Sequence, residues 1–462
     1  MTDERAQSAG ADHGPLEARI ADRSATVAVI GLGYVGLPLA VALAEAGFAV
    51  TGIDTDSAKA ASIARGRSPI QDVPPQRLAA LTASGRLTAT DRFDAVSRCD
   101  ALFVCVPTPF DAYKTPDLRF VLAAADGIAA HVRPGHLVVL QSTTFPGTTE
   151  EVVRPRLEAG GLRAGRDFFL AFSPERIDPG VPEHTVRNTP KVVGGVTPRC
   201  AALAADVLRS LGPEVHLVGT PRAAEMTKLL ENIFRAVNIA LVNELALLCE
   251  RMGIDVWEVI DAASTKPFGF MPFHPGPGVG GHCIPVDPHY LAWKAREYDF
   301  STRFIELAAE INGNMPHHVL DLAARALEKD GRCLRGAQIL LLGVAFKPDV
   351  DDARNSPAER IIELLLERGA VVRYHDPFVQ ELHVGQSAFR REREVLRSVP
   401  LDDLALGQAD LVLIVTAHRS LDYPRVVARA RRLLDTTSAT RGMDNARVMR
   451  LGRPTTQGED AT

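Results

Sequence analysis

The sequence predicts an α/β protein with two Rossmann-like parallel-sheet domains joined by a central helical segment that contains one long helix. Three observations carry that prediction. An apolar strand runs into Gly31-Leu32-Gly33-Tyr34-Val35-Gly36 and on into a small-residue helix, and a second strand ends at Asp54. Residues 222–252 are helix-forming over almost their whole length. From Gln338 the strand-helix-strand order returns.

In the first element each glycine has a physical task. Gly31 permits the tight turn, Gly33 lets the backbone approach a pyrophosphate, and Gly36 allows close helix–strand packing, while the helix N-terminus stabilises phosphate charge. Asp54, 21 residues after Gly33, is placed to accept hydrogen bonds from the adenosine ribose and to repel a 2′-phosphate, so NAD is expected rather than NADP. Tyr34, Val35 and Lys59 join the expected cofactor contacts. Strands follow at Ala101–Val106, Leu137–Gln141, Phe168–Phe172 and Lys191–Gly194, three of them running into the polar loops CVPTPF, STTFPGTT and SPER. Open α/β sheets bind ligands at such strand ends, which brings Thr108, Thr143 and Thr144 to the cofactor crevice; each alone is equally a turn residue.

The helix from Arg222 to Met252 stops at Gly253, and Asp255 caps the next one. About 30 residues at 1.5 Å rise make a rod of roughly 45 Å, longer than one domain usually spans. Its apolar residues Ile233, Val237, Ile239, Leu241, Leu245 and Leu248 cover a broad arc, so a homodimer, or a higher homo-oligomer built from it, is expected along this helix. On one face Lys228 and Asn232 lie four apart, with Glu225 a turn earlier. A lysine among Met226, Leu229, Leu230, Ile233 and Phe234 can act as a fixed positive charge beside a developing oxyanion.

Beyond it, Pro275–Tyr290 reads PGPGVGGHCIPVDPHY. Gly278 and Gly280 leave room for a substrate near main-chain amides, and Cys283 and Asp287 set a thiol and a carboxylate four residues apart. Alone, the loop reads as a Pro/Gly-rich turn with a buried structural cysteine; the rest of the chain favours covalent chemistry on a carbonyl. No second Cys/His pair stands at ligand spacing to His282, Cys283 and His289, so no metal is expected. In the last unit, QILLLGVAF, AVVRYHDP and Ala409–His418 are strands around the helix PAERIIELLLERG, with no second glycine fingerprint. Lys347 and Arg354 follow its first strand and suit a diphosphate, though Asp349, Asp351 and Asp352 can pair with them instead. Glu175, in SPER, can activate a water or serve as a cap.

The 462 residues exceed one hydrophobic core. The expected divisions are a disordered tail over 1–24, a dinucleotide domain over 25–215, a central helical segment over 216–325, a second Rossmann-like domain over 326–450 and a tail over 451–462. A net charge of −5 gives no broad attraction to nucleic acid or anionic membranes, and no uninterrupted apolar run reaches transmembrane length. The polar, acidic start excludes a secretory signal peptide, and six scattered cysteines suit the reducing cytoplasm.

Taken in order, GLGYVG, CVPTP, STTFPGTT, SPER, the Lys228–Asn232 pair, GGHCIPVD and AFKPDVDDAR resemble the UDP-glucose/GDP-mannose dehydrogenase family from about Val27 to Arg441. The resemblance implies NAD-dependent oxidation of a UDP-sugar alcohol to a carboxylate in two hydride steps. It implies Cys283 as nucleophile through a thiohemiacetal and a thioester, with Lys228, Asn232 and Asp287 as companions. It further implies Glu175 in hydrolysis, Lys347 as a sugar-nucleotide contact, and Arg354 and Thr144 as cofactor contacts. The subgroup most resembled acts on UDP-N-acetylhexosamines, especially UDP-N-acetylglucosamine, with UDP-N-acetylmannosamine and UDP-glucose left open. The chain departs from the family in having Pro179 where some members have a second glutamate, Val286 where many have lysine, and Thr437 where an arginine is frequent, leaving Arg441 as a weak substitute. Two rival readings are a two-electron dehydrogenase of the 6-phosphogluconate type and a non-catalytic nucleotide-binding protein. Against both stand Cys283, Asp287 and Lys228 together.

Overall fold

The structure is a computed structural model that describes residues 15–70, 73–111, 115–177, 185–385, 392–443 and 445–454. Its residues fall into two compact units that divide near Leu229/Leu230, inside the long helix.

The first unit is built on an eight-stranded sheet: β1 Thr26–Ile30, β2 Ala49–Ile53, β3 Leu87–Thr90, β4 Ala101–Val104, β5 Leu137–Leu140, β6 Phe169–Phe172, β7 Lys191–Gly195 and β8 Val215–Val218. The order β3-β2-β1-β4-β5-β6-β7-β8 begins as the doubly wound dinucleotide arrangement, all parallel from β3 to β6. β7 then runs antiparallel to β6, and β8 runs parallel to β7. Strands β4, β5 and β6 are buried throughout, as expected of strands covered on both faces.

The second unit holds a five-stranded, all-parallel sheet: β9 Gln338–Leu342, β10 Val371–His375, β13 Leu411–Ile414, β14 Leu433–Asp435 and β15 Val448–Arg450, in the order β10-β9-β13-β14-β15. That is the other common doubly wound order, with its ligand crevice at the C-terminal ends of β9 and β13. A separate antiparallel pair, β11 Glu381–Gly385 with β12 Arg393–Arg397, was not expected from the sequence.

The long helix runs Pro221–Met252, and Asp255 caps the next helix by accepting from the Trp257 amide. Among the described residues, the long helix is the one helix whose length and apolar composition match a membrane span. It carries four buried polar side chains, Glu225, Lys228, Asn232 and Asn243. Residues 15–24 and 451–454, expected to lie in the tails, are built into the fold. Leu16–Ala21 is a helix that buries Ile20 and ties Glu17 to Arg199, and Leu451 is buried and accepts from the Trp257 indole. Residues 1–14, 455–462 and Pro179 lie outside the described residues.

Candidate active site

In the first unit the glycine-rich turn has the shape its sequence requires. Gly31 has φ +89°, and a Cβ there would stand 2.5 Å from the Cys105 carbonyl oxygen. A Cβ on Gly36 would stand 1.8 Å from the Gly31 carbonyl oxygen, so side chains are excluded at both positions. Gly33 has nothing within 4 Å of its added Cβ; its missing side chain faces open space, as a pyrophosphate cradle needs. Tyr34 and Val35 are half-buried beside it.

Asp54 is tied to that turn. Its Oδ2 accepts from the Leu32 amide at 2.9 Å and from Lys59 Nζ at 3.0 Å, and its Oδ1 accepts from the Asp56 amide at 3.0 Å. A carboxylate offers about four lone-pair sites, so one stays available for a ribose hydroxyl. The adjoining Lys59 ammonium changes the sequence argument, because it offsets part of the charge repulsion expected toward a 2′-phosphate. These features fit a dinucleotide.

The loop after β5 joins the long helix through Glu225. This fully buried carboxylate accepts from the Gly147 amide at 2.6 Å, the Thr149 amide at 2.9 Å and the Thr149 hydroxyl at 2.7 Å. Burial, opposed by those hydrogen bonds, raises its pKa to about 7. The tie fixes the turn that follows Thr144 to the helix that carries Lys228. Thr144 is fully buried and its hydroxyl has no hydrogen-bond partner among the described residues, whereas Thr108 and Thr143 are half-buried. Glu175 is buried, with its Oε1 held by Lys191 at 2.6 Å and by the amides of residues 176 and 177. Its carboxylate thus caps the turn that follows it and at the same time meets a buried ammonium.

In the second unit, Asn232 Nδ2 donates to Asp287 Oδ2 at 2.5 Å, and both side chains are buried. Asp287 opens the helix Asp287–Ala295, and its amide returns to the Cys283 carbonyl at 2.8 Å. One tight turn therefore links the carboxylate to the thiol, and Cys283 is exposed, unlike the buried structural cysteine that the loop alone suggested. Val286 is buried within the same turn.

The glycines before the cysteine work differently from expectation. An added Cβ on Gly278 would meet Pro357 at 3.2 Å, and one on Gly280 would meet Pro357 at 2.9 Å and the Asn355 carbonyl at 3.0 Å. Their missing side chains allow the loop to pack on residues 346–357 rather than opening space for a ligand. A buried amide relay backs the loop: the Gly276 amide donates to Asn243 Oδ1, Asn243 donates to Asn312, and Asn312 donates to the Ala236 carbonyl. Among the described residues no group of three or more His, Cys, Asp or Glu is arranged to hold a metal.

Lys347 follows β9, at the crevice that the strand order defines, with its ammonium 5.7 Å from the Phe346 ring centroid. The loop's root is pinned by Asp376, which accepts from the Val344 and Ala345 amides and from His418 Nε2. Burial pushes this carboxyl up, but the hydrogen bonds, led by that from His418, prevail and lower it to about 2. Arg354 takes the salt-bridge alternative and makes a forked contact with Asp352. Burial opposes ionisation of Asp352, yet the hydrogen bonds from His282 and Arg354 hold it well below the usual carboxylate range. Arg441 is engaged by Asp261, and Thr437 hydrogen-bonds Asp435.

A doubly wound sheet with its glycine turn and ribose-side aspartate, and a second parallel sheet with a cysteine–aspartate loop, define a nucleotide-binding oxidoreductase. Comparison with known proteins narrows the class. The UDP-glucose/GDP-mannose dehydrogenase family matches in all three of its parts: the NAD binding domain over residues 25–211, the central domain over 222–314 and the UDP binding domain over 340–442. UDP-N-acetyl-D-glucosamine 6-dehydrogenase of Pseudomonas aeruginosa is 39% identical over 355 residues, covering 76% of this chain and 83% of that protein. UDP-N-acetyl-D-mannosamine dehydrogenase of Pyrococcus horikoshii is 40% identical over 362 residues, covering 77% of this chain and 84% of that protein. The solved structure of a UDP-D-ManNAc dehydrogenase from Pyrococcus horikoshii superposes with a TM-score of 0.83 at 33% identity, covering 93% of this chain and all of that one. The chain belongs to the UDP-glucose/GDP-mannose dehydrogenase family. It is an NAD-dependent UDP-sugar dehydrogenase.

Sequence reasoning missed Lys191, which reads only as the first residue of a strand, and the Asn243–Asn312 relay, which reads as helix surface. In both cases the partner is remote in sequence, so no periodicity announces it.

Proposed function

We propose that this enzyme carries out the four-electron oxidation of the C6 hydroxyl of a UDP-N-acetylhexosamine, UDP-N-acetylglucosamine foremost, to the uronate through a thioester on Cys283. The observation that carries this reading is the buried Asn232–Asp287 hydrogen bond, one turn from an exposed thiol. A polar pair withheld from water beside a nucleophile serves covalent carbonyl chemistry better than it serves stability.

When bound, NAD accepts the hydride of each oxidation, and Gly31, Gly33, Gly36, Asp54 and Thr144 are the residues that would hold it. Asp287, through water, or Lys228 takes the hydroxyl proton as the alcohol is oxidised. Lys228 and Asn232 stabilise the negative charge that develops on oxygen. The Cys283 thiolate adds to the aldehyde carbon, so no free aldehyde need escape. Glu175 accepts a proton from the water that cleaves the thioester, and Lys347 meets the diphosphate. Arg354 reaches the cofactor only by leaving Asp352.

UDP-N-acetylglucosamine is put first because the Pseudomonas relative bears that name; the mannosamine enzyme is as similar, which makes UDP-N-acetylmannosamine the second reading. The deciding experiment incubates purified enzyme with NAD and a panel of UDP-sugars and counts NADH per sugar consumed. About two per sugar, one for each hydride, supports the thioester route. One per sugar with released aldehyde overturns it, and the preferred sugar is read from kcat/KM.

We further infer a homodimer along the long helix and a cytoplasmic location. Leu230, Phe234, Leu241, Leu245, Leu248 and Met252 are all exposed at intervals of seven, four and three, a stripe a second copy of the chain would cover. All six cysteines stand outside disulfides, in keeping with a reducing compartment.

A further inference from the structure

The C-terminal ends of β4, β5 and β6 carry a buried polar cluster with a particular pattern of unmet hydrogen bonds. Register places Cys105, Gln141 and Ser173 side by side, each one residue past the paired Val104, Leu140 and Phe172. Cys105 Sγ donates to Gln141 Oε1 at 3.2 Å, which leaves Gln141 Nε2 without a partner among the described residues. The Ser173 hydroxyl and Glu175 Oε2 likewise lack one, and all three side chains are at least nine-tenths buried. Buried polar atoms in native proteins are nearly always paired, with protein or with ordered water. Two orphaned groups able to donate and one carboxylate oxygen able to accept make the two to four partners that a held water takes.

Glu175 itself is asymmetric. Its Oε1 is saturated by the amides of Arg176 at 2.7 Å and Ile177 at 3.1 Å and by Lys191 Nζ at 2.6 Å, while its Oε2 has no partner. Lys191, the first residue of β7, is wholly buried and makes that one side-chain ion pair. A lysine withheld entirely from water is rare without a task, and replacing a buried pair by apolar residues is often neutral or stabilising.

We propose that Lys191 is a positioning residue for the hydrolytic half of the reaction: by occupying Oε1 of Glu175 it leaves Oε2 alone to take the proton of a water seated by Gln141 and Ser173. This rests on the reading of Glu175 as the base of that step. The water oxygen bonds to the thioester carbonyl carbon, its proton passes to Oε2, and the carbon–sulfur bond breaks as the electron pair leaves with the Cys283 sulfur. No oxidant or reductant is consumed. Among the described residues, two titratable side chains face the carboxylate. Lys191 approaches from β7. Cys105 approaches from the end of β4, where burial first and then the Glu175 charge push its thiol far up, so it stays neutral.

The test compares Lys191→Met, Lys191→Arg and Glu175→Gln in the full enzyme, with NAD and the preferred UDP-sugar. Intact mass after rapid quench reads the acyl adduct on Cys283, and steady-state NADH formation is followed across pH. In Lys191→Met the adduct is expected to accumulate. Steady-state turnover should fall at least tenfold, and by no more than the about 10²–10⁴ that a positioned base contributes. The acid limb of the hydrolysis rate should move to higher pH, since an uncompensated buried carboxylate favours its protonated form. Lys191→Arg should restore most of the rate and the original pH limb. Should Lys191→Met fail to fold, Lys191→Gln keeps a donor without the charge and must show the same displaced limb. A folded Lys191→Met enzyme with wild-type hydrolysis and pH profile overturns the proposal. If Glu175→Gln then still accumulates adduct, only the Lys191 inference has failed; if it does not, the reading of Glu175 has failed beneath it.

Discussion

Replacing Asp54 tests the cofactor half of the site at its most exposed assumption. The carboxylate holds three groups of its own chain, the Leu32 and Asp56 amides and Lys59, and is buried. Asp54→Ala removes a charged acceptor from the ribose, a loss of about 1.5–3 kcal/mol, and orphans the buried Leu32 amide at a further cost of about 1–3 kcal/mol shared between stability and binding. At roughly 1.4 kcal/mol per decade, the ribose loss alone weakens NAD about 10- to 100-fold. Lys59, released from its partner and about one-third exposed, gains a contact with a 2′-phosphate that is worth about 0–1 kcal/mol, a few-fold at most. The NAD-to-NADP ratio of kcat/KM should therefore fall by about two orders of magnitude, with most of the change on the NAD side. Asp54→Asn, which keeps one acceptor oxygen, should fall between the two. Initial rates at saturating UDP-sugar, with each cofactor varied, give the ratio directly. An unchanged ratio in a well-folded Asp54→Ala enzyme, or a wild type that already prefers NADP, refutes the reasoning.

Cys283→Ser should keep fold and NAD binding while losing overall turnover by orders of magnitude, because a hydroxyl lacks thiolate nucleophilicity; near wild-type turnover would remove the cysteine from the mechanism. Glu225 has a folded pKa raised to about 7 from 4.5, so the native state binds the extra proton. Its contribution to stability is complete below pH 4.5 and is lost as pH rises through about 7, up to about 3 kcal/mol across that window. Thermal melts should show a shallower decline over that range in Glu225→Gln than in wild type, and identical slopes would contradict the assignment. Leu241→Glu, at an exposed position of the long helix, should convert the dimer to monomer by light scattering. A wild type that is already a stable, active monomer at micromolar concentration would refute the seam.

Local chemistry was legible in the sequence wherever the contacts that enforce it are local. The glycine turn, the Asp255 cap, the long helix to within a residue and strands β1, β2, β4 to β7, β9, β10 and β13 follow from turn sterics and apolar periodicity, whereas β3, β8, β14 and β15 were not picked out. Features decided by remote partners were not legible. β7 turns antiparallel to β6 although KVVGG has the pattern of any buried strand, and β11 was overlooked although Glu381–Gly385 alternates polar and apolar. The helix Leu16–Ala21 was missed because one buried side chain, Ile20, is its whole apolar signal. At the site, Cys283, Asp287, Lys228 and Asn232 stood out by residue type and spacing. The Lys191–Glu175 pair did not, because 16 residues separate its partners. Lys59 was picked out, but its effect on the charge at Asp54 was visible only once the ion pair was seen.

The packing of Gly278 and Gly280 on Pro357 and Asn355 has a consequence for how such an enzyme changes its substrate. The backbone that presents the thiol is moulded on the same stretch of chain that carries Lys347 and Arg354, with Asn355 also donating to the Gly281 carbonyl. A substitution there made to accommodate a different nucleotide shifts the template on which the nucleophile loop is cast. On the roles proposed above for Lys347 and Cys283, recognition of one end of the substrate and reactivity at the other are inherited together, and a lineage that alters its nucleotide preference must also re-tune its cysteine.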